Sequence, residues 1–259
     1  MILLEIRKLT KRFGGVTALE GVDLEVRRDE ILGLIGPNGA GKTTLFNCIS
    51  GFIPPTAGEL RFGDSSLDLA RRGPHEVARL GLARTFQNIR LFPEMTVLEN
   101  VLVGRHMRTG AGIGAALLRP PWVLDEEEHS RLKAEEWLEF VGLEERAGAM
   151  ARELPLGDQR RLEIARALAS EPMLILLDEP AAGMNPAESD ALMELIGRIR
   201  TQGVTLFLIE HDMRVVMGIS DRVAVLDHGT LIAEGSPAEI QRSPAVIEAY
   251  LGRGDAAAA

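Results

Sequence analysis

Gly36, Gly41, Lys42 and Thr43 stand in the spacing Gly-x-x-x-x-Gly-Lys-[Ser/Thr] inside "LIGPNGAGKTTLF", residues 34–46. That spacing suits one kind of chemistry. Glycine backbones turn amide N–H groups inward to cradle phosphate, a lysine reaches the β- and γ-phosphates, and a threonine hydroxyl ligates Mg²⁺. A helix opening at the loop adds the partial positive charge of its N-terminus. Pro37, Asn38, Gly39, Ala40 and Thr44 complete the candidate cradle. A plain glycine-rich turn before an ordinary helix fits less well, because "EILGLI" reads as a strand and "TTLFNCIS" as a helix, the context that a phosphate loop requires.

A second set of candidates sits at the ends of apolar runs. In "LILLDEP", residues 174–180, a parallel strand would deliver Asp178 and Glu179 to the crevice at its carboxyl end, with Asp178 holding the Mg²⁺ shell and Glu179 orienting or deprotonating a water for attack on a γ-phosphate. A solvated Asp-Glu pair is the bland alternative, and the phosphate loop in the same chain disfavours it. His211, ending "VTLFLIEHD", can contact the γ-phosphate or the attacking water, or serve structure alone. Gln87, in "ARTFQNIRLF", can contact Mg²⁺ or water, or cap a turn. Phe13 can offer a face to adenine, or belong to the core. In "ELPLGDQRRLEIARALA", Gly157 before a basic helix can present amides to a phosphate, although these residues by themselves indicate only a helix start. That helix buries Leu162, Ala165, Leu168 and Ala169, with Arg160, Arg161 and Arg166 on its charged side.

These residues need a scaffold, and the rest of the chain reads as an α/β one. Segments at 2–8, 17–27 and 59–63, with 30–35 among them, suggest a mixed sheet. Between residues 88 and 160 helical periodicity takes over, with Ala134, Trp137, Leu138 and Val141 on one face, and the Gly-rich and Pro-containing stretch 105–125 reads as a loop with a short helix. Beyond 160, apolar strands alternate with helices, which implies right-handed crossovers onto a parallel sheet. Asn185 before Pro186 fits an N-cap. "SPAEIQRSPAVIEAYLG" suggests two short helices, and the closing "DAAAA" a frayed end. The expected organisation is a nucleotide-binding core, 1–87 and 161–259, interrupted by a helical subdomain, 88–160.

Composition narrows the field. The 259 residues carry a net charge of −9, which disfavours nucleic acid as a partner. The single cysteine, Cys48, permits no internal disulfide and fits a reducing compartment as a small core residue. "MILLEIRKLTKRF" lacks the apolar core of a signal peptide, and "GAGIGAALL", 110–118, is too short to span a bilayer. A cytosolic location is expected. No internal repeat is visible, so the chain carries one cassette.

Taken in order, Phe13, the loop 36–44, Gln87, the segment 154–159, the strand end 174–179 and His211 resemble the ATP-binding cassette of ABC transporters over nearly the whole chain. "FGGVTAL", "RRLEIARAL", "LLDEPAAGMNP", "IEHDMRVVMGISDRV" and "VIEAYLG" are most similar to the ATPase subunits of bacterial branched-chain amino-acid importers. The resemblance implies an α/β P-loop NTPase core with a mixed or parallel sheet, an N-terminal antiparallel β part and a helical insertion. It implies ATP and Mg²⁺ as cofactors, and a head-to-tail pair of cassettes, paralogous or identical, sandwiching two ATP molecules. Gly157 of one chain would then face the nucleotide held by the other. It further implies transmembrane permease subunits with which Gln87 communicates, a periplasmic substrate-binding protein acting indirectly, and a peripheral location on the cytoplasmic face of the inner membrane. Related cassettes for lipid, lipopolysaccharide or urea transport, and non-transport ATPases of the same type, share most of these motifs.

The chain departs from that pattern at Leu154-Pro155-Leu156-Gly157-Asp158, where the usual signature is Leu-Ser-Gly-Gly-Gln. Pro155 supplies neither a hydroxyl nor an N–H, and Asp158 adds negative charge where phosphate would approach. Slow turnover is the expected consequence.

Overall fold

The computed structural model describes residues 1–64, 67–108 and 120–251. "GAGIGAALL", "DAAAA" and most of the stretch 105–125 lie outside the described residues. The described parts of that stretch are more helical than a loop. Residues 106–108 form a 3-10 turn, and Pro121 opens a helix at its first position, where a fixed φ and a missing N–H cost nothing.

The strands form two sheets. In the first, β2 (Val16–Arg27), β1 (Ile2–Phe13), β4 (Ala57–Phe62) and β5 (Leu67–Asp68) lie in that order, all antiparallel. β1 runs on to Phe13 through register shifts against β2. The second sheet has the order β10 (Thr230–Gly235), β9 (Arg222–Asp227), β3 (Ile31–Ile35), β8 (Thr205–Ile209), β7 (Leu174–Asp178), β6 (Leu82–Arg84). It is parallel from β9 to β6, with β10 antiparallel at one edge.

One expectation is corrected here: the segment 30–35 does not share a sheet with the other early strands. β3 leaves its sequence neighbours and inserts between β9 and β8. Every residue of β3, β7 and β8 is buried. Strands that are apolar on both faces belong in the middle of a covered parallel sheet, whereas β1 and β2 mix buried and exposed positions as a sheet with one wet face does.

The chain divides into two compact units, residues 1–84 with 173–259, and residues 85–172. The first contains both sheets and a continuous core that includes Leu4, Ile6, Leu34, Phe46, Phe62 and Leu226. α1 (Lys42–Ile49) presents Phe46 edge-on to Phe207 of β8, their ring centroids 5.0 Å apart, and Cys48 is buried beside them. α2 (Pro74–Arg79), α6 (Pro186–Thr201), α7 (Met213–Ile219), α8 (Pro237–Arg242) and α9 (Pro244–Leu251) complete this unit. The Asn185 side chain accepts from the Glu188 N–H and caps α6, and α8 and α9 are the two short helices expected near the C-terminus.

The second unit is helical. It packs α3 (Val97–Arg105), α4 (Pro121–Val141) and α5 (Leu156–Leu168) together. Ala134, Leu138 and Val141 are buried, while Trp137 is half-buried against Phe140, with ring centroids 5.6 Å apart. A Cβ at Gly104 would lie 2.1 Å from the Arg166 carbonyl oxygen, so glycine is what lets α3 lie against α5. The stripe Leu162, Ala165, Leu168 and Ala169 is buried as expected, but Arg160 is not on the charged outer side: it is 3% exposed. Its position, four and eight residues before Ile164 and Leu168, puts it on the inward face. Among the described residues, no helix is long and apolar enough to cross a membrane.

Candidate nucleotide-binding site

β3 ends at Ile35 and α1 begins at Lys42, so the loop 36–41 is the turn from a buried strand into a helix. Gly36 and Gly41 have positive φ, 152° and 103°. A Cβ on Gly36 would sit 2.0 Å from the Leu226 carbonyl oxygen, and one on Gly41 2.5 Å from the Ala18 carbonyl oxygen. No other residue fits at either position. Ala40 is buried, its N–H donating to Pro37 O at 3.1 Å and its carbonyl accepting from the Gly229 N–H at 3.0 Å. Asn38, Gly39 and Thr43 are exposed, and Thr44 is half-buried.

The Lys42 ammonium curls over this loop, donating to Gly36 O at 2.6 Å and to Pro37 O at 3.0 Å. Burial pushes its pKa below the usual lysine value, while the charges of Glu179 and then Asp178 draw it back up. The lysine of the loop therefore lies in the field of the two carboxylates at the end of β7.

Asp178, the last residue of β7, is buried and accepts from the Arg84 guanidinium at 2.8 Å. Glu179 follows in a left-handed backbone conformation, φ 48°, its N–H donating to Ile209 O at 2.9 Å. His211 is two-thirds exposed, with Nδ1 3.7 Å from Glu179 Oε2 and 3.8 Å from Glu210 Oε2. Glu210 is buried and accepts from the N–H groups of Ala181 and His211, at 2.8 and 3.0 Å, so one carboxylate ties together the turns that carry Glu179 and His211. Phe13 is exposed rather than core, and the Lys11 ammonium lies 4.9 Å from its ring centroid.

Gln87 and Gly157 belong to the second unit. Gln87 is exposed, and its carbonyl accepts from Arg160 at 2.5 Å. A second Arg160 nitrogen donates to Phe86 O at 2.6 Å and to Glu163 at 3.1 Å, while Glu163 accepts from the N–H of Phe86 at 3.3 Å. Burial raises the Glu163 pKa and the neighbouring Arg160 opposes that rise. This buried pair fixes the backbone at the candidate glutamine. Pro155 is the N-cap of α5, Gly157 is buried in its first turn, and Asp158 pairs with Arg161 at 3.4 Å.

Arg84, Glu163 and Glu210 are missing from the residues singled out in the sequence, and Arg160 is placed there on the outer, charged side. Arg160 and Glu163 had a readable signal, since they lie three apart on a helix and Arg160 is in line with Ile164 and Leu168. Arg84 carried a weaker one: a cation ending an otherwise apolar strand needs a buried partner, and sequence does not say which.

The donor set can be tested against a metal. Among the described residues, no three His, Cys, Asp or Glu side chains are grouped to hold an ion. Asp178 and the exposed Thr43 are instead the kind of sparse oxygen set that suits Mg²⁺ shared with phosphates and water, rather than an all-protein cage.

A glycine loop entering a helix, with its lysine in the field of the carboxylates that end β7 of the same parallel sheet, defines a P-loop nucleotide-binding cassette. The chain belongs to the ABC transporter family, whose model matches residues 19–182, and residues 230–256 match the model described as branched-chain amino acid ATP-binding cassette transporter. It is 49% identical to the high-affinity branched-chain amino acid transport ATP-binding protein LivG of Salmonella typhimurium, over 96% of this chain and 98% of that one. BraF of Pseudomonas aeruginosa, of the same description, is 47% identical over 96% and 98%. The crystal structure of the ADP conformation of an ATP-binding cassette of an ABC transporter superposes with a TM-score of 0.84 at 35% identity, covering 97% of this chain and 99% of that one.

Proposed function

We propose that this chain is the ATP-binding and hydrolysing subunit of an importer for branched-chain amino acids. The observation that carries the chemistry is the glycine loop, which has no room for a Cβ at Gly36 or Gly41, with Lys42 bound over it and lying in the field of Glu179 and Asp178. The substrate rests on likeness to transport proteins over almost the full length of both chains.

ATP supplies the transferable γ-phosphoryl group, and Mg²⁺, when bound, would offset its charge. The amides of residues 38–44 bind the phosphates, and Lys42 exchanges its two carbonyl partners for phosphate oxygens. Asp178 and Thr43 would hold the metal. Glu179 orients the water and takes its proton, with His211, whose Nδ1 is 3.7 Å from the Glu179 carboxylate, contacting the same water or the γ-phosphate. Phe13 stacks on the base. Gln87 and Gly157 extend the second unit's contacts toward a permease and toward a second cassette, paralogous or identical. A nucleotide drives closure of such a pair only by binding the closed state better, and hydrolysis removes that preference. Transmembrane permease subunits place the chain at the cytoplasmic face of the membrane, with a periplasmic binding protein delivering the amino acid from the other side.

Reconstituting the chain with its permease subunits, second cassette and binding protein in liposomes tests this reading. ATP-dependent uptake of leucine, isoleucine or valine is the expected result. Uptake of an unrelated solute, with none of these, overturns the assignment.

A further inference from the structure

Arg84 ends β6, and its side chain is 6% exposed, as is that of Asp178. One guanidinium nitrogen donates to Asp178 Oδ2 at 2.8 Å. The other donates to Asn47 Oδ1 at 2.7 Å and to Ser50 Oγ at 2.9 Å. Asn47 lies in α1 and Ser50 caps its C-terminal end, where the Ser50 hydroxyl is itself fixed by donating to Phe46 O at 2.6 Å. The rings of Phe46 and Phe52 flank the guanidinium, each centroid 5.7 Å from Cζ.

One planar fork thus joins the two elements that would supply the metal's protein donors. α1 starts with Lys42 and Thr43, and β7 ends with Asp178. A guanidinium has a fixed angle between its donors, so the position of the Asp178 carboxylate is set relative to the helix that carries Thr43. Arg222 is a comparably buried bridge that touches no candidate metal donor: it donates to Glu25 O and meets Glu30 at 3.1 Å and Glu234 at 3.3 Å, at the strand ends away from the phosphate loop.

We infer that Arg84 is a positioning residue for the Mg²⁺ site, acting through Asp178 and α1. The inference rests on the reading of Asp178 as a metal ligand given above. Partners of metal ligands typically contribute ten- to a hundredfold to metal affinity.

The test is the Mg²⁺ concentration that half-saturates binding of a fluorescent ATP analogue to the full chain, read beside its melting temperature. Arg84→Gln is expected to raise that concentration by about tenfold. Arg84→Lys, which keeps the charge and loses the fork, should give an intermediate rise. Arg222→Gln serves as the comparison, lowering the melting temperature while leaving the Mg²⁺ requirement within twofold. An Arg84→Gln protein that folds and keeps the wild-type requirement within twofold overturns the inference. If Arg84→Gln does not fold, the same result for Arg84→Lys overturns it. Wild-type chain that binds the analogue with no response to Mg²⁺ overturns the underlying reading of Asp178.

Discussion

His211 Nδ1 stands 3.7 Å from Glu179 Oε2, across the carboxyl ends of two neighbouring parallel strands whose register pairs Asp178 with Ile209. In the mechanism proposed above, this histidine and glutamate serve one reacting point. Glu179→Gln keeps the shape and removes the base, so ATPase activity is expected to fall at least about a hundredfold while ATP binding persists. A paired, ATP-bound species should then accumulate, visible by size-exclusion chromatography with Mg²⁺·ATP. Retained hydrolysis would remove Glu179 from the mechanism.

Gly36→Ala and Gly39→Ala separate space from conformation. Both positions have positive φ, but only at Gly36 does a Cβ meet backbone, 2.0 Å from Leu226 O, whereas nothing lies within 4 Å of one at Gly39. The first variant should displace β9 and lose nucleotide binding. The second should cost about 1 kcal/mol of stability, the strain of a left-handed alanine. Equal effects in titration calorimetry and thermal melts would contradict the geometry.

Pro155→Ser restores a hydroxyl and an N–H at the N-cap of α5. Serine is also a favoured N-cap, so the variant should fold at least as well. The ATPase rate of the assembled transporter is expected to rise more than about twofold, a barrier change of roughly 0.4 kcal/mol. A smaller change would show that the proline is not what limits turnover.

Glu171 gives the second unit an acid-sensitive contact. Its carboxyl is held below the usual range chiefly by the hydrogen bond from Arg105, at 2.5 Å. A depressed folded-state pKa stabilises above the ordinary glutamate value and ceases to do so as pH falls through the folded value. Glu171→Gln should therefore melt lower than wild type at pH 7, by under about 1 kcal/mol because Glu171 is half exposed and screened. The gap should close as the pH falls through the lowered folded-state value, and a gap independent of pH would point to packing instead.

The parallel sheet, the helices after 160 and the phosphate loop were legible because each rests on local information: apolar runs of strand length, a helical period, glycines at fixed spacing. The assignment of β3 to a different sheet from β1 and β2 was not, since pairing is decided by which distant strands compete for a fully buried partner. Arg160 was misplaced by counting its charge rather than its register with Ile164 and Leu168. Arg84 and Glu210 act on Asp178 and on the turns of Glu179 and His211 through contacts 94 and 29 residues away in the chain. Such partners leave no trace in spacing.

At φ 48°, Glu179 occupies a corner that an L-residue enters at a cost of roughly 1–2 kcal/mol and that glycine enters freely. With Glu179 as the proposed base, thermal endurance and turnover pull in opposite directions at this one position. A glycine there would make a hardier protein with no means of splitting its nucleotide, and a screen for heat resistance alone would select the inert form.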